Sequence, residues 1–117
     1  MLQLINKSKK TIITENLIVA DGFWSRMRGL MWKRDMPEDE GLLLVPCNSV
    51  HSMFMRFPID VLFLDKEFNI VKILDYLKPW RCSPYVRGAF QAVELKAGEA
   101  KKKDIEIGDN LSLLRVN

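Results

Sequence analysis

The sequence predicts a mostly β domain (α+β): a small closed or half-open β-barrel or sandwich of about seven to eight short strands, with one helix near 22–32 and a short helical turn near 98–103. Three observations predict it. Apolar residues alternate with polar ones in short runs bounded by turn residues. A helical stripe long enough for a full helix occurs near residue 27. The run from Ile59 to Asp65 is apolar on both faces apart from Asp60 and the closing Asp65, which is the pattern of a strand covered front and back.

Alternation and turn signals place strands near 2–6, 11–19, 41–45, 50–55, 60–65, 69–77, 89–95 and 110–116. Between the second and third, Asp21 is a suitable N-cap, and Phe23, Met27, Leu30 and Met31 share one stripe of the helix. Arg26, Arg28, Lys33 and Arg34 crowd in and just beyond that helix, toward the end where its dipole favours cations. After the strand ending AVELK, a turn of helix spans Gly98 to Lys103, and Gly108-Asp109 marks the entry to the last strand. Gly98 and Gly108 are expected where positive φ costs glycine little.

A chain of 117 residues is read as one domain, 1–117, able to remove roughly two-thirds of its unfolded surface from water. With 48% hydrophobic and 28% charged residues it lies outside the disordered class. Eighteen basic against fifteen acidic side chains give +3, and no basic stripe interleaved with aromatics is apparent, so there is no strong nucleic-acid signal. Lys7 to Lys10 and Lys101 to Lys103 are read as solvated faces. Two cysteines cannot make the disulfide framework of a small exported domain, and MLQLINKSKK lacks the features of a signal peptide. The expected setting is the cytoplasm. No apolar run approaches the roughly 20 residues of a membrane span.

The unusual chemistry is concentrated between Cys47 and Asp65. His51, Met53 and Met55 alternate, so a strand would point all three one way, with Cys47 just upstream, a donor set suited to a soft metal. Alternate strand residues are about 6.6 to 7 Å apart, so the outer members of that trio cannot easily share one ion. Cys47 with His51 is the local pair for nucleophilic catalysis, with Asp60 as a distant orienting group. No phosphate loop, dinucleotide fingerprint or zinc-protease helix is present, no cofactor is predicted, and the reading leans against an enzyme.

Asp60 shares a face with Leu62 and Leu64, so its carboxylate borders the core and must find a partner, Arg56 and His51 being nearest in sequence. Glu94 raises the same question, because it alternates with Phe90 and Ala92. An ordinary ion pair is the expectation for both acids. Lys78 to Gly88 is the long connection, and it carries Trp80, Arg81, Tyr85 and Arg87. If the strands from residue 41 onward form a meander, this loop leaves from the end that holds Arg56 to Pro58. Cys47 then lies at the opposite end, and a Cys47–Cys82 disulfide requires the loop to fold back.

The leading functional reading is a non-enzymatic binding module for a small ligand or peptide, with candidate residues Arg26, Arg56, Asp60, Trp80 and Arg81, and with a small ligand or protein partner engaged through the 78–88 loop. The alternative is a soft-metal-binding or Cys/His-dependent catalytic protein using Cys47, His51, Met53 and Met55.

In that order along the chain, GFWSRMRGLMW, HSMFMRFPIDVLFLD, AVELKAGEA and IGDNL resemble the family known as domain of unknown function 192, from about Asp21 to Leu114. The resemblance implies a small β-rich domain with a short helix before the third strand, and no particular activity. Many bacterial members look exported, and SMFM here stands where an aromatic-Trp-Met run is common. The positions it marks are Arg26, Gly29, Leu30, Met31, Met55, Ile59, Asp60, Glu94, Gly98, Gly108 and Asp109.

Overall fold

Among the described residues, eight strands fall into two sheets that cover one another without closing into a barrel, giving a half-open sandwich. The computed structural model describes residues 1–20, 36–50 and 56–116. The expected helix near 22–32 lies outside the described residues, as do Arg26, His51, Met53, Met55 and nearly all of the strand expected near 50–55.

The strands are β1 (Leu2–Asn6), β2 (Thr11–Thr14), β3 (Asn16–Ala20), β4 (Glu40–Leu44), β5 (Ile59–Leu64), β6 (Ile70–Leu77), β7 (Gln91–Lys96) and β8 (Leu111–Arg115), with the short helix α1 (Glu99–Lys102) before the last. One sheet has the order β2-β1-β8, antiparallel throughout. The other has the order β3-β4-β7-β5-β6, in which only β3 and β4 run parallel. The strands from β4 onward are therefore not a meander, since β7 is inserted between β4 and β5.

The single strand expected over 11–19 is two strands in different sheets. The chain breaks at Glu15 because one carbonyl, that of Asp39, receives the Glu15 amide at 3.1 Å, the Asn16 amide at 2.9 Å and the Thr14 hydroxyl. These bonds turn the chain from the first sheet into the second. Gly41, beside this corner in β4, is closely packed: a Cβ there would lie 3.1 Å from the Thr14 methyl and 3.2 Å from a Leu95 methyl, so those side chains would have to give by a few tenths of an ångström.

Every residue from Ile59 to Leu64 is buried, because β5 has β7 on one side, β6 on the other, and a core on each face. Leu62 and Leu64 join Leu43, Val93 and Leu95 against Leu4, Ile13 and Leu111 of the small sheet. We call this the inner face. Ile59, Val61 and Phe63 join Leu42, Leu44 and Ala92 on the outer face, covered by Met36, Val50, Phe57 and Val86 from the connections. Each such aliphatic or phenyl side chain contributes about 1.5–3 kcal/mol on burial, so the apolar run of β5 is a principal anchor of the fold.

Gly98 and Gly108 adopt positive φ, 94° and 95°, as their turns require. Past Gly108, Asp109 ties the ends of the domain together. Its carboxylate accepts from Asn6 Nδ2 at 2.8 Å, the Glu106 amide at 3.0 Å and Lys9 Nζ at 3.3 Å.

Candidate functional site

Two acids on neighbouring strands, Asp60 of β5 and Glu94 of β7, define the candidate site. In the register of these strands Asp60 stands opposite Leu95 and Val61 opposite Glu94, so alternation sends the two carboxyls to opposite faces of the sheet.

Asp60 points to the inner face and is 1% exposed. Its partners are backbone amides rather than Arg56. Oδ1 accepts from the Tyr76 amide at 2.8 Å, and Oδ2 accepts from the Gly98 and Ala100 amides at 3.0 and 2.9 Å. The Gly98 side of α1 offers no side-chain cap of its own, so Asp60 supplies one from across the sheet. The Tyr76 amide is available because β6 bulges there: Ile59 pairs with Leu77 and Val61 with Leu74, leaving Asp75 and Tyr76 to arch past Asp60, Tyr76 with φ of 57°. Among the described residues no ion pair joins Asp60 to Arg56.

Glu94 points to the outer face, flanked by Leu42 and Val61 across the strands and by Ala92 along its own. It is 4% exposed, and among the described residues its carboxyl has no hydrogen-bond or ion-pair partner. Burial without a compensating charge disfavours the anion and pushes its pKa up to about 8. At neutral pH the group is mainly a carboxylic acid, holding one donor and two acceptor oxygens in an apolar setting. Its signal in the sequence was its alternation with Phe90 and Ala92, a pattern that also suits an acid in an ion pair.

The other candidates gather at one end of the sheet. Arg56 lies three residues before β5 begins, and Trp80 and Arg81 follow β6, whose last residue Leu77 pairs with Ile59, the first of β5. All three are exposed. From there the 78–90 segment folds back toward the far end, where the Cys47 amide bonds the Phe90 carbonyl at 2.7 Å. Along the way the Ser83 amide bonds Val50 O and the Val86 amide bonds Asn48 O, both at 2.8 Å. Cys47 and Cys82 form no disulfide with each other; the Cys47 thiol is half-buried and donates to Ser49 O at 3.1 Å, and Cys82 is exposed. Among the described residues no three His, Cys, Asp or Glu side chains are grouped to hold a metal.

A cleft of about 280 Å³ lies elsewhere, between β2, the 38–39 turn and α1. Its charges answer one another: Lys103 Nζ lies 3.0 Å from Glu99 Oε1 and also donates to the Ile13 carbonyl, and Lys102 Nζ lies 3.1 Å from Glu38.

The model of the domain of unknown function 192 family, described as an uncharacterized ACR, matches residues 4–113. A UPF0127 protein of Pyrococcus furiosus is 34% identical over 118 residues, covering 97% of this chain and 99% of the relative. One from Thermococcus sibiricus is 34% identical over 113 residues, covering 92% of this chain and 72% of the relative. The fold resembles that of a Novosphingobium aromaticivorans protein of unknown function, with a TM-score of 0.79 and 17% identity, covering 95% of this chain and 82% of that one. A Sinorhizobium meliloti protein, provisionally described as a transcription regulator, gives 0.78 and 25%, covering 95% of this chain and 90% of that one. Among the described residues no helix is long and apolar enough to cross a membrane. The chain belongs to the domain of unknown function 192 family, the UPF0127 group of uncharacterised proteins.

Proposed function

We propose that the domain is a binding module for a small ligand that inserts between the outer face of the five-stranded sheet and the connections that cover it, with Glu94 as its polar anchor. The observation that carries this reading is a buried carboxyl with no partner among the described residues, on a face otherwise built of Leu42, Val61, Phe63 and Ala92. A lone polar group in such a setting costs stability, and ligand sites are where such a cost is met by binding, since apolar walls with one or two fixed polar groups are their usual composition. The acid selects a largely apolar ligand with one hydrogen-bonding group, because protonated Glu94 can donate as well as accept. Arg56, Trp80 and Arg81 stand at the end of the sheet nearer Glu94. Asp60 contributes from the opposite face, by fixing the Tyr76 bulge from which the 78–90 segment departs.

A methyl-detected NMR screen of small amphipathic compounds tests the proposal. Binders should shift the Leu42, Val61 and Ala92 methyls, and Glu94→Leu should abolish their effect. Shifts that never gather around Glu94, or that persist in that variant, would refute it.

A further inference from the structure

The two edge strands of the three-stranded sheet differ. At β2 the Ile13 carbonyl accepts from Lys103 Nζ, a cation laid against the strand that deters pairing with another chain. At β8 no such device is present among the described residues. The strand LSLLR contains no proline, its register with β1 runs unbroken from Leu2 opposite Arg115 to Asn6 opposite Leu111, and Leu113 and Leu114 are 40% and 50% exposed. Two bonds fix which main-chain groups β8 leaves over. The Lys7 amide bonds the Asn110 carbonyl and the Val116 amide bonds the Met1 carbonyl, both at 2.8 Å, so residues 110, 112, 114 and 116 turn their main-chain groups to β1. Those of Leu111, Leu113 and Arg115 therefore face away from the sheet. The Leu111 amide is taken by the Phe68 carbonyl at 2.9 Å, which closes the edge at that end. Among the described residues nothing bonds the amides and carbonyls of Leu113 and Arg115.

We infer that β8 is the pairing edge of a symmetric dimer, in which a second copy adds its own β8 antiparallel and joins the two small sheets into one. The residues choose the register. With the two-fold axis at Leu114, Leu113 stands opposite Arg115 of the second copy, and each exchanges both its main-chain hydrogen bonds with its opposite number. An axis at Leu113 would call on the Leu111 amide, already given to Phe68, and an axis at Arg115 would set two guanidinium groups directly opposite one another. The Leu114 register avoids both. It also brings Leu114 onto its own counterpart in a non-hydrogen-bonded pair, where side chains come closest, and lays Leu113 along the hydrocarbon stem of Arg115. A second copy suits this edge better than an extended peptide of another protein, because the open groups of Leu113 and Arg115 lie symmetrically about Leu114 and one strand supplies both halves. Glu94 plays no part in this pairing, since it lies on the outer face of the other sheet.

Sedimentation velocity of the full chain over a concentration series, with amide hydrogen exchange followed by NMR, tests the inference. The shared edge is short, so a monomer–dimer equilibrium that moves toward dimer up to about 1 mM is expected, with nothing larger because two-fold pairing uses up the edge. The Leu113 and Arg115 amides should exchange more slowly as concentration rises. Leu114→Lys sets two cations on the axis, and Arg115→Pro removes an edge donor without touching a bond to β1; each should weaken dimerisation about tenfold or more. Leu114→Met, which keeps the apolar contact, should dimerise like the parent, and Glu94→Gln should leave dimerisation unchanged, separating this edge from the outer-face site. Proton spectra establish that each variant folds. A dimer that both Leu114→Lys and Arg115→Pro leave intact would overturn the inference, as would Leu113 and Arg115 amides whose exchange ignores concentration. A chain still monomeric at about 1 mM would also overturn it, and would leave the edge to an extended segment of another protein.

Discussion

Asp60 and Glu94 stand one register step apart on adjacent strands, yet the first receives three backbone amides and the second has no partner among the described residues. The difference comes from what each face of the sheet presents. The inner face brings the start of α1 and the Tyr76 bulge to Asp60, whereas the outer face offers Glu94 hydrocarbon from Leu42, Val61 and Ala92.

Asp60 is accordingly assigned to the architecture. Asp60→Ala strands the Tyr76, Gly98 and Ala100 amides in a buried setting and should cost roughly 3 kcal/mol or more, since each hydrogen bond to a charged acceptor is worth about 1.5–3 kcal/mol. Urea denaturation measures the loss. A cost below about 1 kcal/mol would mean that water or a neighbouring group takes over the three donors.

Much of this was legible in the sequence, and the residues show why. Ile59 to Leu64 could be placed as an interior strand because both of its faces are apolar, a property local to six residues. The turns at Gly98 and Gly108 were equally local. The partners of Asp60 were not, because they lie 16, 38 and 40 residues away and are main-chain amides, which every residue type but proline carries. Nor was the break at Glu15 readable from TIITENLIVA, since the Asp39 carbonyl imposes it from a distant turn. The insertion of β7 between β4 and β5 depends on pairing across long separations, which alternation does not encode. Glu94 drew notice through its apolar neighbours, but only the fold shows that none of the described groups answers it.

The pH dependence of stability should carry the mark of Glu94. Its folded pKa is raised from 4.5 to about 8, so between those values the folded state holds a proton that the unfolded chain has released. Stability therefore falls as pH rises through that window, by several kcal/mol as an upper bound, and levels off above it. Glu94→Gln should remove the slope and be more stable than the parent above pH 8, as equilibrium denaturation across the window would show. A parallel slope in both proteins would contradict this.

Asp109 gives the opposite sign. Burial alone would raise its pKa, but hydrogen bonds from Asn6, the Glu106 amide and Lys9 outweigh that and hold it below its ordinary value of 3.8. The stability it contributes is present above that value and is lost as pH falls through the lowered one. Asp109→Asn should destabilise the domain at neutral pH by roughly 1–3 kcal/mol and weaken its acid-side decline. A variant with unchanged acid denaturation would show that Asn6 and Lys9 find other partners.

The two thiols should differ in reactivity. Cys82 is exposed and should be alkylated quickly in the folded protein, whereas Cys47, half-buried and bonded to Ser49 O, should lag until unfolding. Mass spectrometry of timed iodoacetamide quenches resolves the two, and equal rates would place Cys47 at the surface.

The protonation state of Glu94 in the free protein tests the central claim most directly, through the carboxyl carbon resonance of selectively labelled glutamate, assigned with Glu94→Gln and followed against pH. A resonance that stays in the protonated position through neutrality and titrates near 8 is the predicted result. Titration near 4.5 would mean that the carboxyl is hydrated or paired, and the outer face would then lose the anchor on which ligand binding is proposed to rest.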